Sequence, residues 1–245
     1  MEEKRMIEGR RPVMEALRAG SKITRILLQK GTHGGPLTEI LALAQTKEIP
    51  VEYWDKQALD KKAVTRNHQG ILAETPPFAY TPFEQLLVKK NDEHPFLVIL
   101  DHLQDPHNLG ALIRTAYAAG CDGLVIPERR AAQMTPAAVR TAAGAAEYLP
   151  VARVVNIARC LEECKQAGLW LYGADMDGKS LYTKGDYQGP MALVIGSEGA
   201  GLSRLTKEKC DFLVRLPMQG AVASLNASVA GALLLYEVYR QRQGF

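Results

Sequence analysis

The chain has 245 residues, 47% hydrophobic and 23% charged, an ordinary globular balance that suits one large domain or two small ones. Its longest unbroken apolar runs, such as Phe96 to Leu100 and Ala232 to Tyr236, are far shorter than the ~20 residues of a membrane span. The net charge is only +3, too small to prove a nucleic-acid partner, and the opening MEEKRMIEGR has no apolar stretch of the secretory kind.

The distribution of charge says more than its sum. Residues 1–75 carry 13 Lys and Arg against 10 Asp and Glu, whereas residues 76–245 carry 17 of each. The excess marks the front of the chain as the side to meet a polyanion, although charge alone is better read as a slightly basic surface. The cysteines, Cys121, Cys160, Cys164 and Cys210, form no C-x-x-C pair and no zinc spacing. They are expected to be reduced thiols in a cytoplasmic protein.

In chain order, Pro12 to Ala19 reads as a helix closed by Gly20, Ile23 to Leu28 as a strand, and Leu37 to Thr46 as a helix. Val51 to Trp54 and Gly70 to Ala73 read as further strands. The first 75 residues therefore make a small α/β unit. Three prolines in TPPFAYTP, a short amphipathic piece (83–88) and the polar run KKNDEHP place a linker at 76–94. From residue 95 the pattern is strand and helix in alternation. The strands are FLVIL (96–100), GLVIP (123–127), VARVV (151–155), LWLYG (169–173), ALVIG (192–196) and FLVRL (212–216). Between them come a helix capped by Asn108 and ended at Gly120, one opened by Thr135-Pro136, and one from Ile157 to Ala167 capped by Asn156; a long helix from Asn226 to Gln241 ends the series. This predicts an α/β fold, a parallel sheet with helices on both faces, whose ligands lie at the carboxyl ends of the strands.

Two motif matches fail on physical grounds. Gly173-Ala-Asp-Met-Asp-Gly178-Lys179-Ser180 spells a phosphate-binding loop. That motif needs a helix starting at the Lys, but LYTKGDYQGP follows, and Asp175 and Asp177 would repel phosphate. Asp101, His102, Asp105 and His107 could suggest a metal, yet they lie in a loop with a proline and no element to point them inward, so no metal is expected. Gly196-Ser-Glu198-Gly199-Ala-Gly201 follows a buried strand, and its glycines permit close backbone approach or positive φ. Alone it also fits a plain turn before a helix capped by Ser203. Ser224 and Asn226, at the mouth of the last helix, are good caps as well.

Together and in this order the segments are distinctive. Asn108-Leu-Gly110-Ala-Leu-Ile-Arg114 is followed by Leu193-Val-Ile-Gly196-Ser-Glu198-Gly199-Ala-Gly201, then by Leu216-Pro-Met218-x-Gly220-x-x-x-Ser224-Leu225-Asn226. Residues 95–245 thereby resemble the SpoU/TrmH branch of the SPOUT methyltransferases. The front, with Gly9-Arg-x-Pro-Val-x-Glu-Ala-Leu and His68-Gln69-Gly70-Ile71, resembles the substrate-binding domain of the 23S rRNA guanosine-2′-O-methyltransferase group, a domain similar to ribosomal protein L30e.

The resemblance implies a trefoil knot, a homodimer whose active site is completed near the partner subunit, and S-adenosylmethionine as methyl donor. It implies 2′-O-methylation of a ribose in RNA, most simply a guanosine of 23S rRNA, free or in a pre-ribosomal particle. Transfer RNA, another rRNA nucleoside, or a knotted RNA-binding protein without activity are the alternatives. By the same match Gly196, Leu216, Met218 and Leu225 are expected at the donor, and Asn108, Arg114, Glu198, Ser224 and Asn226 in catalysis. Glu198 is expected to accept a hydrogen bond from Asn108 or the loop amides. Arg10, Arg11, Lys22, Arg25, Lys61, Lys62 and Arg66 are candidate phosphate contacts.

Overall fold

The computed structural model describes residues 5–64, 67–88, 94–219 and 224–244. Contacts divide the chain into two compact units, Met1–Ala79 with Met134–Tyr148, and Tyr80–Gln133 with Leu149–Phe245.

The first unit is built on strands β1 (Arg5–Glu8), β2 (Arg25–Gln29), β3 (Val51–Trp54) and β4 (Ile71–Thr75), in the order β1-β4-β2-β3. β4 runs antiparallel to both neighbours, and β2 pairs parallel with β3. Alternation along β2 sends Ile26 and Leu28 to one face, where they pack with Val13 and Leu17 of α1 (Arg10–Arg18) and Ile40 of α2 (Leu37–Thr46). Leu27 points the other way, toward Leu72 and Leu59 of α3 (Lys56–Lys62). β1 and α3 carry no periodic signal in sequence. β1 is a four-residue strand that β4 organises, and α3 buries a single residue, Leu59.

Among the described residues the second unit holds seven strands, β5 (Phe96–Asp101), β6 (Gly123–Pro127), β7 (Val151–Val154), β8 (Trp170–Ala174), β9 (Ser180–Leu181), β10 (Met191–Gly196) and β11 (Phe212–Arg215). Their order is β7-β6-β5-β10-β8-β11-β9, and every pairing is parallel. Burial on both faces explains why β5, β6 and β10 read as unbroken apolar runs. One face carries α4 (Phe83–Leu86), α7 (Ile157–Gln166) and α8 (Arg204–Lys209) over Leu97, Ile99, Val125 and Val194. The other carries α5 (Pro106–Ala118) and α9 (Ala227–Gln243), which pack closely because Gly231 leaves room for Leu112 and Ile195.

Two segments differ from the sequence reading. Phe83 and Leu86 lie inside the expected linker yet are buried in the second unit's core. Residues 134–148, with α6 (Pro136–Thr141), group with the first unit, where Ser21 donates to Glu147 and Tyr148 to the Glu15 carboxylate. Several strand ends move by a residue or two, as at Trp170–Ala174 against the expected 169–173.

Candidate active site

β10 lies at the centre of the sheet, and its last residue, Gly196, stands level with Asp101 of β5. Beyond it the chain doubles back at once. Ser197 and Gly201 exchange backbone hydrogen bonds of 3.1 and 3.0 Å, and Gly199 and Gly201 take φ of 80° and 66°. A Cβ on Gly196 would overlap the backbone of Gly201 and Leu202, so this strand can end in such a turn only with glycine. The two uses expected of these glycines are both present, divided among three positions.

The turn is fastened from two sides. Asn108, buried in the first turns of α5, donates from Nδ2 to Oε1 of Glu198 at 2.6 Å, the bond expected for Glu198. Asn108 is not the cap of α5, as the sequence reading had it. Asp105 caps that helix, accepting from the His107 amide at 2.9 Å ahead of Pro106, which frees the Asn108 side chain. On the other side the Ser203 amide donates to Asp101 Oδ2 at 2.8 Å, and His102 Nδ1 lies 2.6 Å from Oδ1. Burial opposes ionisation of Asp101, but the Ser203 amide, the Thr206 hydroxyl and His102 outweigh it and hold the carboxyl below its ordinary value. With Asp101 and Asp105 so occupied, two of the four residues that could suggest a metal serve the backbone. Among the described residues no three His, Cys, Asp or Glu side chains converge as metal ligands.

The second strand-end segment leaves β11 through Leu216, Pro217 and Met218. Gly220, in its motif, lies outside the described residues. Ser224 and Leu225 then lead into α9, whose cap is Asn226, accepting from the amides of Ser228 and Val229 at 2.9 and 3.3 Å.

Between these segments, at the carboxyl ends of β8, β10 and β11, lies a cavity of about 310 Å³. Gly196, Leu216, Met218 and Leu225, the residues expected at the donor, all line it, together with Glu198 and Ser224. Asn108 adjoins it through Glu198. Arg114 and Asn226 are not among its lining residues. Arg114 is exposed on α5, and its guanidinium takes part in no ion pair or hydrogen bond among the described residues. The walls mix apolar side chains with a few polar groups and a stretch of glycine backbone, which suits an aromatic ligand with polar ends.

Sequence reasoning missed one wall. Asp175, Met176 and Asp177 line the cavity, and Lys207 fixes them by ion pairs of 2.7 Å to Asp175 and 3.5 Å to Asp177. They belong to the segment that spells a phosphate-binding loop. No helix starts at Lys179; β9 and a short turn follow instead. Their place directly after β8 was the available signal, since ligands gather at strand ends.

Comparison with known proteins gives this site a family. The model described as SpoU rRNA Methylase family matches residues 95–236, and the model described as RNA 2′-O ribose methyltransferase substrate binding matches residues 6–81. The chain belongs to the SpoU methylase family, and it is a methyltransferase. It is 45% identical to YacO of Bacillus subtilis (strain 168), assigned to the TrmH family of tRNA/rRNA methyltransferases, over 96% of this chain and 94% of that one. Its fold matches the SpoU methyltransferase AviRb from Streptomyces viridochromogenes, solved in complex with AdoMet (S-adenosylmethionine). The TM-score is 0.84 and the identity 27%, with 99% of this chain and 92% of that one covered. A solved RNA 2′-O ribose methyltransferase matches with a TM-score of 0.82 and 28% identity, over 99% and 90% of the two chains.

The front unit departs from expectation in its cations. Arg25 is held by Glu74 and Glu52 at 2.9 Å each, and Lys62 by Glu74 at 3.1 Å. Arg10 donates to the carbonyl of Gly34 at 2.9 Å. These three serve the fold. Arg66 lies outside the described residues, whereas Arg11, Lys22 and Lys61 have no ion pair among them.

Proposed function

We propose that this enzyme transfers a methyl group from S-adenosylmethionine to the 2′-hydroxyl of a ribose in RNA, a guanosine of 23S rRNA in the free RNA or a ribosomal precursor. The observation that carries the reading is the cavity at the ends of β8, β10 and β11, walled by both strand-end motifs and fastened by the Asn108–Glu198 hydrogen bond. The Gly196 turn fits such a donor, because the backbone there can approach a ligand where any side chain would block it. When bound, the donor supplies an electrophilic sulfonium methyl.

The protein's part is then positioning and electrostatics. Gly196, Leu216, Met218 and Leu225 hold the donor, largely through backbone groups. Glu198, oriented by Asn108, sets the geometry of the turn beside the reacting atoms. Arg114 stays cationic, because its guanidinium does not deprotonate in proteins. It holds a substrate phosphate and stabilises charge developing on the hydroxyl oxygen. Ser224 stands at the cavity with its hydroxyl available to the substrate. Asn226 acts through the start of α9, which its side chain caps.

Arg114 lies outside the cavity's lining, which supports the homodimer that the family resemblance implies, with the site completed near the partner subunit. Val229, Leu233 and Tyr236 form an exposed apolar stripe on α9 that such a dimer would cover. The Gly196 turn and the segment after β11 line one cavity, which supports the trefoil knot. An L30e-like front domain with Arg11, Lys22 and Lys61 free of ion pairs among the described residues supports recognition of structured RNA. Four free cysteines support a cytoplasmic site of action, and among the described residues no helix is long and apolar enough to cross a membrane.

The test is a map of 2′-O-methyl positions in RNA from cells with and without the gene. One position in 23S rRNA should disappear on deletion. Loss of a tRNA position with rRNA unchanged would overturn the substrate assignment, and no loss anywhere would favour a knotted RNA-binding protein without activity.

A further inference from the structure

A second cavity, of about 300 Å³, lies at the carboxyl ends of β5, β6 and β7. It neighbours the donor cavity: the segment that walls the first with Gly196 to Gly201 walls the second with Ser203, Leu205 and Thr206. Its charged lining is Arg129, Arg130 and Asp101, with His102 beside them. The Asp101 carboxylate is buried and already bonded to Ser203 and His102, so the accessible charge is cationic. Arg129 and Arg130 are exposed, and neither guanidinium has an ion pair or hydrogen bond among the described residues. Two arginines lining one cavity without ion pairs among the described residues suit a phosphate.

The cavity is held in shape by backbone ties. Gln104 Nε2 donates to the carbonyls of His102 and Arg130 at 3.0 and 2.7 Å, and the Ala132 amide donates to Leu103 at 2.7 Å. These bonds lock the loop after β5 to the loop after β6. The remaining wall includes Val155 and Leu205, both exposed apolar side chains. Cations beside an apolar surface match a nucleotide, whose phosphate needs the first and whose sugar and base rest on the second.

We propose that this cavity seats one nucleotide of the substrate RNA strand, adjoining the nucleotide that is methylated. Its phosphate lies between Arg129 and Arg130, and its sugar and base lie against Val155 and Leu205. The inference rests on RNA being the substrate and adds where the strand runs along the sheet's carboxyl edge.

The full-length protein, the double variant Arg129→Gln/Arg130→Gln and the control Arg159→Gln on α7 would be titrated with a short fluorescein-labelled single-stranded RNA of mixed sequence, at several salt concentrations. S-adenosylmethionine titration and thermal midpoints of the same samples report the donor site and the fold. The double variant should bind the RNA about tenfold more weakly, with a salt slope shallower by about 0.7 for the one phosphate no longer neutralised. Its donor affinity should match wild type, and the control should match wild type throughout. Unchanged RNA affinity and slope in the double variant would overturn the inference, as would an equal loss in the control. If the double variant is unstable, Arg129→Gln and Arg130→Gln are read singly by the same criterion. Failure of the wild type to bind donor would instead sink the proposed reaction, and the RNA comparison would still decide this one.

Discussion

The charges on the first unit's sheet and those just after β6 of the second are treated in opposite ways. In the first, Glu74 is buried and holds Arg25 and Lys62, Glu52 shares Arg25, and Arg18 pairs with Glu39 at 2.6 Å. These groups satisfy one another across a small sheet. In the second unit, Arg129 and Arg130 after β6 and Arg114 on α5 are exposed without ion pairs among the described residues, while Glu198 accepts from the Asn108 amide. A basic count in the first third of the chain therefore overstates the free cations there, since Arg25 and Lys62 are paired. Paired charges there support the fold, whereas Arg129 and Arg130 of the electrically neutral remainder stand without ion pairs among the described residues where β6 ends. Ligands are expected at such ends.

Substitutions in the two regions should separate accordingly, and the largest effect belongs to backbone geometry. Gly196→Ala forces a methyl into the backbone of Gly201 and Leu202, so S-adenosylmethionine binding should vanish in a calorimetric titration. Wild-type affinity in that variant would mean the turn is not the donor's cradle. Arg114→Ala should slow methyl transfer in single-turnover assays by about 100-fold while leaving donor affinity and thermal midpoint unchanged, since it breaks no ion pair among the described residues. A large loss of thermal stability instead would put Arg114 with the structural charges.

Glu198 gives a finer test through rescue. Glu198→Ala loses the acceptor for Asn108 and should lose most activity, whereas Glu198→Gln keeps an acceptor oxygen and should retain a substantial part. Equal loss in both would show that the negative charge itself is needed. In the first unit, Arg25→Met should cost about 1–3 kcal/mol in denaturant unfolding by stripping Glu74 of one partner, with donor binding untouched.

The smallest effect is on pH dependence. Asp101 is held below its ordinary value in the folded state, so the unfolded chain takes up that proton first as pH falls. Its contribution is present above about pH 4 and lost on further acidification through the folded value. Asp101→Asn should therefore flatten the acid limb of the stability profile, and an unchanged limb would remove Asp101 from the turn's support.

Much of this was legible in the sequence, for identifiable reasons. Buried parallel strands such as Phe96–Asp101 and Met191–Gly196 announce themselves by apolar runs, and caps such as Thr135, Asn156 and Ser203 by a side chain that serves the next few amides. Strand order was not legible, because placing β10 between β5 and β8 depends on long-range packing that no local pattern encodes. The cap of α5 was misassigned because Asp105 and Asn108 are both good caps, and only the position of Pro106 at the first helical turn separates them. The wall formed by Asp175 to Asp177 stayed hidden behind a motif whose required helix is missing.

The central claim, that the two strand-end segments enclose the methyl donor, is tested most directly by a crystal structure of the full chain grown with S-adenosylhomocysteine. The account predicts ligand density in the cavity bounded by Gly196, Leu216 and Leu225. Density elsewhere on the molecule, or none at saturating ligand, would contradict it.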